Sequence, residues 1–348
     1  MTANLNALRA KARKIVVPYS ETYANSHTAF ASRMWNKRRR REPVYQRWKF
    51  RGPEQGPVPG LLLAVLQGEV VGQTGLIPVR ARVGGREQQA QWVCDLMVDE
   101  RVRGTGIGAM LLVAATDRPC LTLGSNPSPL AGSMLTSFGF QRLRGPLQML
   151  LPLRPEHLIS WFLTGASARL IPLASALARP LVGFRNRKLW MAKRGADYSF
   201  CRWQDLPDRI AESEKSLVEP HIVHDAEFLA WRCGAVPGFC MELSGVRSRL
   251  GGWAVVGDAN PFCYVFDWHA SNSADGLCLV RGIHDYARSI KSCTVKMNVD
   301  DDGQRKWLSG FGFIPRRHPN EIHAFPKLEP PDSAGFFRYA LYDSDENL

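Results

Sequence analysis

WVCDLMVDERVRGTGIGAMLLVAAT, Trp92 to Thr116, decides how the rest of the chain is read. It opens as an apolar run of strand length, Trp92 to Val98. It then breaks into a charged, glycine-punctuated turn from Asp99 to Gly108 and resumes as a helix-forming apolar stretch. Strand, glycine loop and helix in that order make a phosphate-binding layout. Gly104, Gly106 and Gly108 let the backbone come close to a ligand, and N–H groups of the loop and first helical turn point at an anion with the helix dipole behind them. Arg103 adds a fixed positive charge. Against a turn that binds nothing stands its cost, since each glycine weakens a helix start by about 1 kcal/mol relative to alanine.

Spacing separates the nucleotide-binding loops that could fit. A P-loop ends in Gly-Lys-Ser/Thr, where this chain has Gly106-Ile107-Gly108-Ala109. A dinucleotide fingerprint over Gly104-x-Gly106-x-x-Ala109 calls for an acidic residue closing the next strand, and Leu121 to Asn126 offers none. What remains, Arg-x-x-Gly-x-Gly/Ala after a strand and opening a helix, resembles the acyl-coenzyme A loop of the GNAT acyltransferases, met by Arg103, Gly106 and Gly108. The resemblance implies an acetyl-CoA or other acyl-CoA donor. It places the donor contacts at Val98, Arg103, Gly104, Thr105, Gly106, Ile107, Gly108 and Asn126, with no metal.

The chain has 348 residues, long for one core and comfortable for two domains. Hydrophobic residues make up 45% and charged ones 22%, ordinary for a folded chain. A net charge of +13 favours an anionic ligand or surface but does not choose among a CoA pyrophosphate, a nucleotide-sugar, a phospholipid face and nucleic acid. No helix-turn-helix, zinc-finger or RRM pattern accompanies the basic run Lys37 to Arg41, which reads as a solvated face or an anion-docking patch; nucleic acid is not an expected partner. The eight cysteines lie in apolar segments without a C-x-x-C pair, as buried thiols do. With no signal-peptide core and no apolar run of 18 residues, a cytoplasmic location is expected.

Along the first half the patterns predict a strand at Lys14–Pro18, a helix within Glu21–Trp35 and an aromatic helix at Val44–Phe50. A hairpin follows, Leu61–Leu66 and Val70–Val79 about Gly68. After the Trp92 strand and its helix come a strand at Cys120–Leu123, a helix near Ala131–Ser137 closed by Phe138-Gly139-Phe140, and a strand at Leu147–Leu153. This order matches the GNAT domain. The second half repeats it. Trp231-Arg232-Cys233 answers Trp48-Lys49-Phe50, Tyr264 to Trp268 answers Trp92 to Leu96, and Phe311-Gly312-Phe313 answers Phe138-Gly139-Phe140. Asp267 follows Asp95 by 172 residues and Gly312 follows Gly139 by 173, near-equal spacings that chance rarely supplies.

The expected fold is therefore α/β (α+β): two GNAT-like domains, each a mixed, mostly antiparallel twisted sheet flanked by helices. Residues 1–155 would form the acyl-CoA-binding domain, 156–195 a connecting segment and 196–348 a diverged copy. The copy lacks the phosphate loop: Ala270 to Leu279 holds one glycine, and Asp275 stands where the first half has arginine. The connecting segment is apolar but interrupted by Arg169, Pro172, Arg179 and Pro180, too broken to span a membrane. One reading makes it a pair of short helices covered by protein. The other makes it an interfacial segment in peripheral contact with a membrane, inserting Trp161, Phe162 and Phe184 and facing Arg169, Arg179, Arg185, Arg187 and Lys188 to headgroups.

For catalysis the resemblance implies direct attack of an acceptor amine on a thioester, with backbone N–H groups around Met97 and Val98 polarising the carbonyl oxygen. Asp95 is the first candidate for a general base. Its recurrence as Asp267, in the half without a loop, argues equally for a structural role. The family's usual tyrosine acid falls at Leu135 and is missing; Ser133, Ser137, Asn126 or water could serve. The tandem layout and the closing Phe337 to Asp345 are similar to tandem GNAT proteins of bacterial cell-surface polysaccharide assembly. That makes an amino sugar the first acceptor, ahead of other small-molecule or protein amines. FemAB-like aminoacyl transferases and a catalytically reduced acyl-CoA-binding or membrane-docking protein are the alternatives.

Overall fold

The computed structural model describes residues 2–35, 43–51, 60–160, 163, 165–187, 189, 197–234, 243–259, 261–316, 320–328 and 336–343. The basic run Lys37–Arg41, Trp161, Phe162, Arg317 and His318 lie outside them, and the side chains of Arg185 and Lys188 are not described. The chain divides into two compact units that interleave in sequence: residues 1–144, 218–223 and 321–337 form the first, and 145–217, 224–320 and 338–348 the second.

The first unit begins with helix α1 (Thr2–Ile15), which the sequence patterns do not predict, and β1 (Val16–Pro18). Helices α2 (Ala24–Met34) and α3 (Pro43–Arg51) precede β2 (Leu61–Leu66), β3 (Glu69–Val83) and β4 (Arg86–Val98). Then come α4 (Ile107–Thr116), β5 (Leu121–Ser125), α5 (Pro129–Ser137) and β6 (Gln141–Arg144). The sheet order is β1-β2-β3-β4-β5-β15-β6, where β15 is Glu321–Phe325, and the short β9 (His221–Ile222) joins β3. Among the described strands of this sheet β4 and β5 are the parallel pair. Helix α4 buries Ile107, Met110, Leu111, Leu112, Val113 and Ala115, which leaves it little polar face, as expected of a helix covered nearly all round. Its residues pack with Ala12, Leu62, Ala64, Val71 and Leu76 in one core cluster.

The second unit repeats the scheme with β7 (Leu147–Pro152), α6 (Pro155–Ser160), α7 (Ile171–Arg185), β8 (Tyr198–Arg202), α8 (Pro207–Glu214) and α9 (Ala226–Cys233). There follow β10 (Ser244–Ser248), β11 (Trp253–Ala259), β12 (Phe262–His269), α10 (Ser273–Ser289), β13 (Thr294–Val299), α11 (Asp302–Ser309) and β14 (Ile314–Pro315). Its sheet runs β14-β7-β13-β12-β11-β10-β8, with β12 and β13 the parallel pair. The internal repeat is thus realised as two sheets of one design. The glycines of the paired turns, Gly139 and Gly312, take φ of 86° and 100°, the left-handed conformation each helix-to-strand turn requires.

The boundary expected at residue 155 does not coincide with the units. Strand β7 pairs with β13 from Leu147↔Val299 to Pro152↔Thr294, and β15 pairs with β5 and β6. Each half of the sequence gives its closing strand to the other half's sheet. The apolar run of β7 suits a central strand buried on both faces, and such a run is equally compatible with either sheet.

The connecting segment also differs from the covered arrangement. It forms α6, a 3-10 stretch (Gly165–Leu170) and α7, and α7 continues through Pro180. Leu170, Leu173, Leu177, Leu181 and Phe184 are all exposed.

Candidate functional site

The site begins with a bulge in β4. Gln73 is opposite Met97 while Gly75 is opposite Cys94, so β4 carries one residue more than β3 over this span, and Asp95 takes φ of 47° there. A bulge bends the strand and re-aims the residues beyond it. The parallel pairing with β5 covers only Ala90–Trp92 against Leu121–Leu123, so beyond Trp92 the edge of β4 that would face β5 is open. Into this opening a cavity of about 730 Å³ is built from the end of β4, the glycine loop, the start of α4 and one side of α5.

Strand alternation decides which backbone groups face it. Asp99 N donates to Val71 O at 2.8 Å, so the amide of Asp99 points toward β3, and that of Val98 points to the opposite, open edge. Arg103 Nε, which donates to Val98 O at 3.3 Å, reaches the same edge. Of the two N–H groups expected to polarise a carbonyl, Val98 is therefore the one presented. Met97 lines the cavity but directs its amide to β3.

The loop after β4 is held by Asp99, a residue outside the sequence-based site. Asp99 accepts from Arg101 N, Nε and Nη2 and from Arg33 Nη2 at 2.9 to 3.1 Å. The Arg101 hydrogen bonds, with Arg33 behind them and against the opposing effect of burial, hold its carboxyl well below the usual carboxylate range. The sequence does carry a signal for it: an aspartate capping the short turn Glu100–Val102, with arginine two residues on. Pinned in this way, the loop turns at Gly104 and Gly106, with φ of 82° and 88°.

Gly106 is the N-cap of α4 and has no side chain to satisfy the first-turn N–H groups. By contrast Ser128 caps α5 and Asn272 caps α10. A Cβ added at Gly104 or Gly106 would meet nothing within 4 Å, so both positions border open space. Arg103 is exposed and pairs with Glu100 at 3.0 Å. Uncapped N–H donors, open glycines and an arginine fit the pyrophosphate of a coenzyme A. Val98, Arg103, Gly104, Gly106, Ile107 and Gly108 all line the cavity.

The remaining expected residues are divided between the cavity and other contacts. Thr105 donates its hydroxyl to Val102 O at 2.7 Å and is not among the lining residues. Asn126 is spent on β15: its Oδ1 accepts from Glu321 N at 2.9 Å and its N donates to Glu321 O at 2.8 Å. Asp95 is engaged by Lys49, Nζ to Oδ2 at 2.5 Å, with both side chains buried. Leu135 is buried against Leu112 and Phe140, so no hydroxyl stands at the tyrosine position. Ser133 and Ser137 do line the cavity, and Ser137 already donates to Met134 O at 2.7 Å. Arg103 is the one ionisable side chain among the described lining residues. The described residues of the chain include no group of His, Cys, Asp or Glu able to hold a metal ion.

In the second unit the counterpart keeps a smaller cavity, about 430 Å³, between Trp268, Asn272, Gly276, Gln304 and Trp307, but the backbone donors around its helix start are taken up by the unit's own carboxylate. Asp275, fully buried in the first turn of α10, accepts from Ser248 Oγ, from Gly252 N at 3.1 Å and from Ser271 N at 2.9 Å. Trp307 packs so tightly on Gly276 that an added Cβ would lie 2.8 Å from the indole. Behind it, Asp267 accepts from Arg338 at 3.0 Å. His224 lies 2.5 Å from Glu214 and 2.7 Å from Asp343. Burial lowers the His224 pKa, but Asp343 and Glu214 on either side outweigh it and leave the imidazole pKa well above its ordinary value. This network is sealed and structural.

A bulged strand, an uncapped glycine loop and a buried helix on a mixed sheet define an acyl-CoA-dependent acyltransferase domain. Residues 21–118 match the acetyltransferase (GNAT) family, and the first unit is a domain of that family. The fold over most of the chain is shared with solved structures. A GCN5-related N-acetyltransferase from Kribbella flavida is 14% identical with a TM-score of 0.56, over 88% of this chain and 70% of that one. A conserved protein of unknown function from Enterococcus faecalis V583, described as a probable N-acyltransferase, is 10% identical with a TM-score of 0.58, over 88% and 71%. A GCN5-related N-acetyltransferase from Anabaena variabilis ATCC 29413 is 9% identical with a TM-score of 0.57, again over 88% and 71%. No curated protein matches the chain by sequence.

Proposed function

We propose that the first unit transfers an acetyl group from acetyl-CoA to a primary amine, with an amino sugar as the acceptor class and the cytoplasm as its place of work. The observation that carries this is the Val98 N–H at the open edge of β4, beside the uncapped first turn of α4. Acyl-CoA supplies an activated thioester carbonyl. The loop N–H groups and Arg103 hold the donor's phosphates, and the Val98 N–H polarises the carbonyl oxygen where charge develops. The amine nitrogen forms the new amide bond as the carbon–sulfur bond breaks. With Asp95 neutralised by Lys49 and no carboxylate or imidazole among the described lining residues, the amine enters unprotonated and its proton passes to water. A thiolate leaves unaided near neutral pH, since a thiol pKa of about 8.5 makes it a tolerable leaving group. The seven described cysteines are free thiols, in keeping with a reducing compartment.

The same lack of a base favours one second reading, an acyl-CoA-binding protein without turnover. A thiol-release assay with acetyl-CoA and a panel of amino sugars, polyamines and peptide amines separates the two. Amine-dependent release of CoA selects the transferase, and its dependence on a 2-amino sugar selects the acceptor. Saturable CoA binding with no release for any amine would select the binding protein.

A further inference from the structure

We propose that α7 docks this chain in the plane of an anionic phospholipid surface. Leu170, Leu173, Leu177, Leu181 and Phe184 recur at spacings of three and four, one stripe along the helix, and are 54%, 63%, 71%, 68% and 72% exposed. They are five of the ten exposed large apolar side chains among the described residues, so the exposure is concentrated on this one element. The other side of α7 is engaged with protein: Ser175 is buried, and just past the helix the buried Asn186 donates to Pro152 O at 3.0 Å. The stripe is therefore an outward face of a helix that is already packed.

Charge selects what covers it. Between Glu156 and Asp197 the sequence has no acidic residue and seven basic ones: Arg169, Arg179, Arg185, Arg187, Lys188, Lys193 and Arg194. Arg169 and Arg187 are exposed at the two ends of the stripe. Arg179, also exposed, pairs with Glu156, the last carboxylate before this stretch. A bilayer bearing anionic lipids offers both complements at once, a plane of acyl chains for a single-file apolar stripe and phosphate charge for the arginines beside it. With 15 residues, α7 is too short to cross, and none of the described helices is long and apolar enough to do so. The helix lies in the interface.

Vesicle flotation of the full chain tests this, using phosphatidylcholine alone and phosphatidylcholine with one third phosphatidylglycerol. The expected result is flotation with the anionic vesicles only, reduced at least tenfold by Leu173→Asp/Leu177→Asp and by 0.5 M salt. Melting temperature and acyl-CoA affinity should stay unchanged, because neither residue lines the donor cavity. Failure to float with anionic vesicles overturns the proposal. So does equal flotation of the double variant, or flotation with phosphatidylcholine alone. A concentration-dependent dimer that Leu177→Asp abolishes, without vesicle binding, overturns it in favour of a contact between copies.

Discussion

Lys49 Nζ lies 2.5 Å from Asp95 Oδ2, and the two side chains are 2% and 8% exposed. The lysine comes from the helix α3 and the aspartate from the bulge of β4, so the pair ties the helix to the strand that shapes the donor cavity. Its counterpart in the second unit, Asp267, is held by Arg338 and by the Tyr342 hydroxyl. In both units a buried aspartate beside a strand bulge, which in the second unit falls between Val255 and Val256, is paired with a cation, and this parallel argues for a structural role for Asp95.

Asp95→Asn isolates the charge, since asparagine tolerates the same positive φ. It takes the charge of Asp95 away from the buried Lys49, and a loss of about 3 kcal/mol in stability is expected. Turnover of the protein that remains folded should change less than tenfold. Adding Lys49→Met should recover much of the loss in a double-mutant cycle. A Tm unchanged by Asp95→Asn, with turnover down a hundredfold and the basic limb of the pH profile altered, would make Asp95 the general base.

Gly106→Val sets a branched side chain at a φ of 88°, at a strain of about 1–3 kcal/mol. The added atoms project into space that is open in the structure. Calorimetric titration should show acetyl-CoA affinity lower by about a hundredfold, roughly 2.8 kcal/mol. Arg103→Ala, which strains nothing, should weaken binding by about tenfold and reduce its salt dependence. Unchanged affinity in both folded variants would remove the donor site from this loop.

His224 makes stability depend on pH. Its folded pKa is raised, so its contribution is complete below the unfolded value of about 6.5 and is lost as pH rises through the folded one. Lys296 acts in the opposite sense. Burial, with Arg316 nearby, pulls its pKa down to about 8, so the cost of burying its charge is relieved as pH rises from about 8. Denaturant midpoints measured from pH 6 to 10 should fall for Lys296→Met more steeply than for the wild type. The His224→Gln variant should lose the downward trend. A flat profile in Lys296→Met would show that the imidazole is not held protonated.

Asp275→Ala removes the acceptor of three donors, two of them buried, and should cost about 3 kcal/mol, seen as a lower Tm. It should not create a second acyl-CoA site, because the cavity of about 430 Å³ there has neither the glycine loop nor an arginine at its helix start. Binding of two acetyl-CoA molecules per chain by this variant would show that the carboxylate alone keeps the donor out of the second unit.

Much of the donor site is local and is therefore legible from residue order. Strand Trp92–Val98, three glycines at alternate positions and the apolar helix after them are consecutive, and backbone N–H direction follows from that succession. The repeat is legible for the same reason. Paired turns at Gly139 and Gly312 need the same left-handed backbone, and sequence records that need directly. Asp99 is readable too, from its place as a cap before Arg101.

What the tertiary structure alone decided depends on groups distant in sequence. Period-two patterns say that Leu147–Pro152 is a strand but carry no address for its partner, so the exchange of β7 and β15 appears only when hydrogen bonds are paired across the sheets. Whether Asp95 acts or is neutralised turns on Lys49, 46 residues away. The Val98 amide, rather than that of Met97, faces the cavity because of the register against β3. The leucines of α7 look alike in sequence whether covered or bare. Burial depends on what the rest of the chain brings against a helix, and the described residues leave that face open.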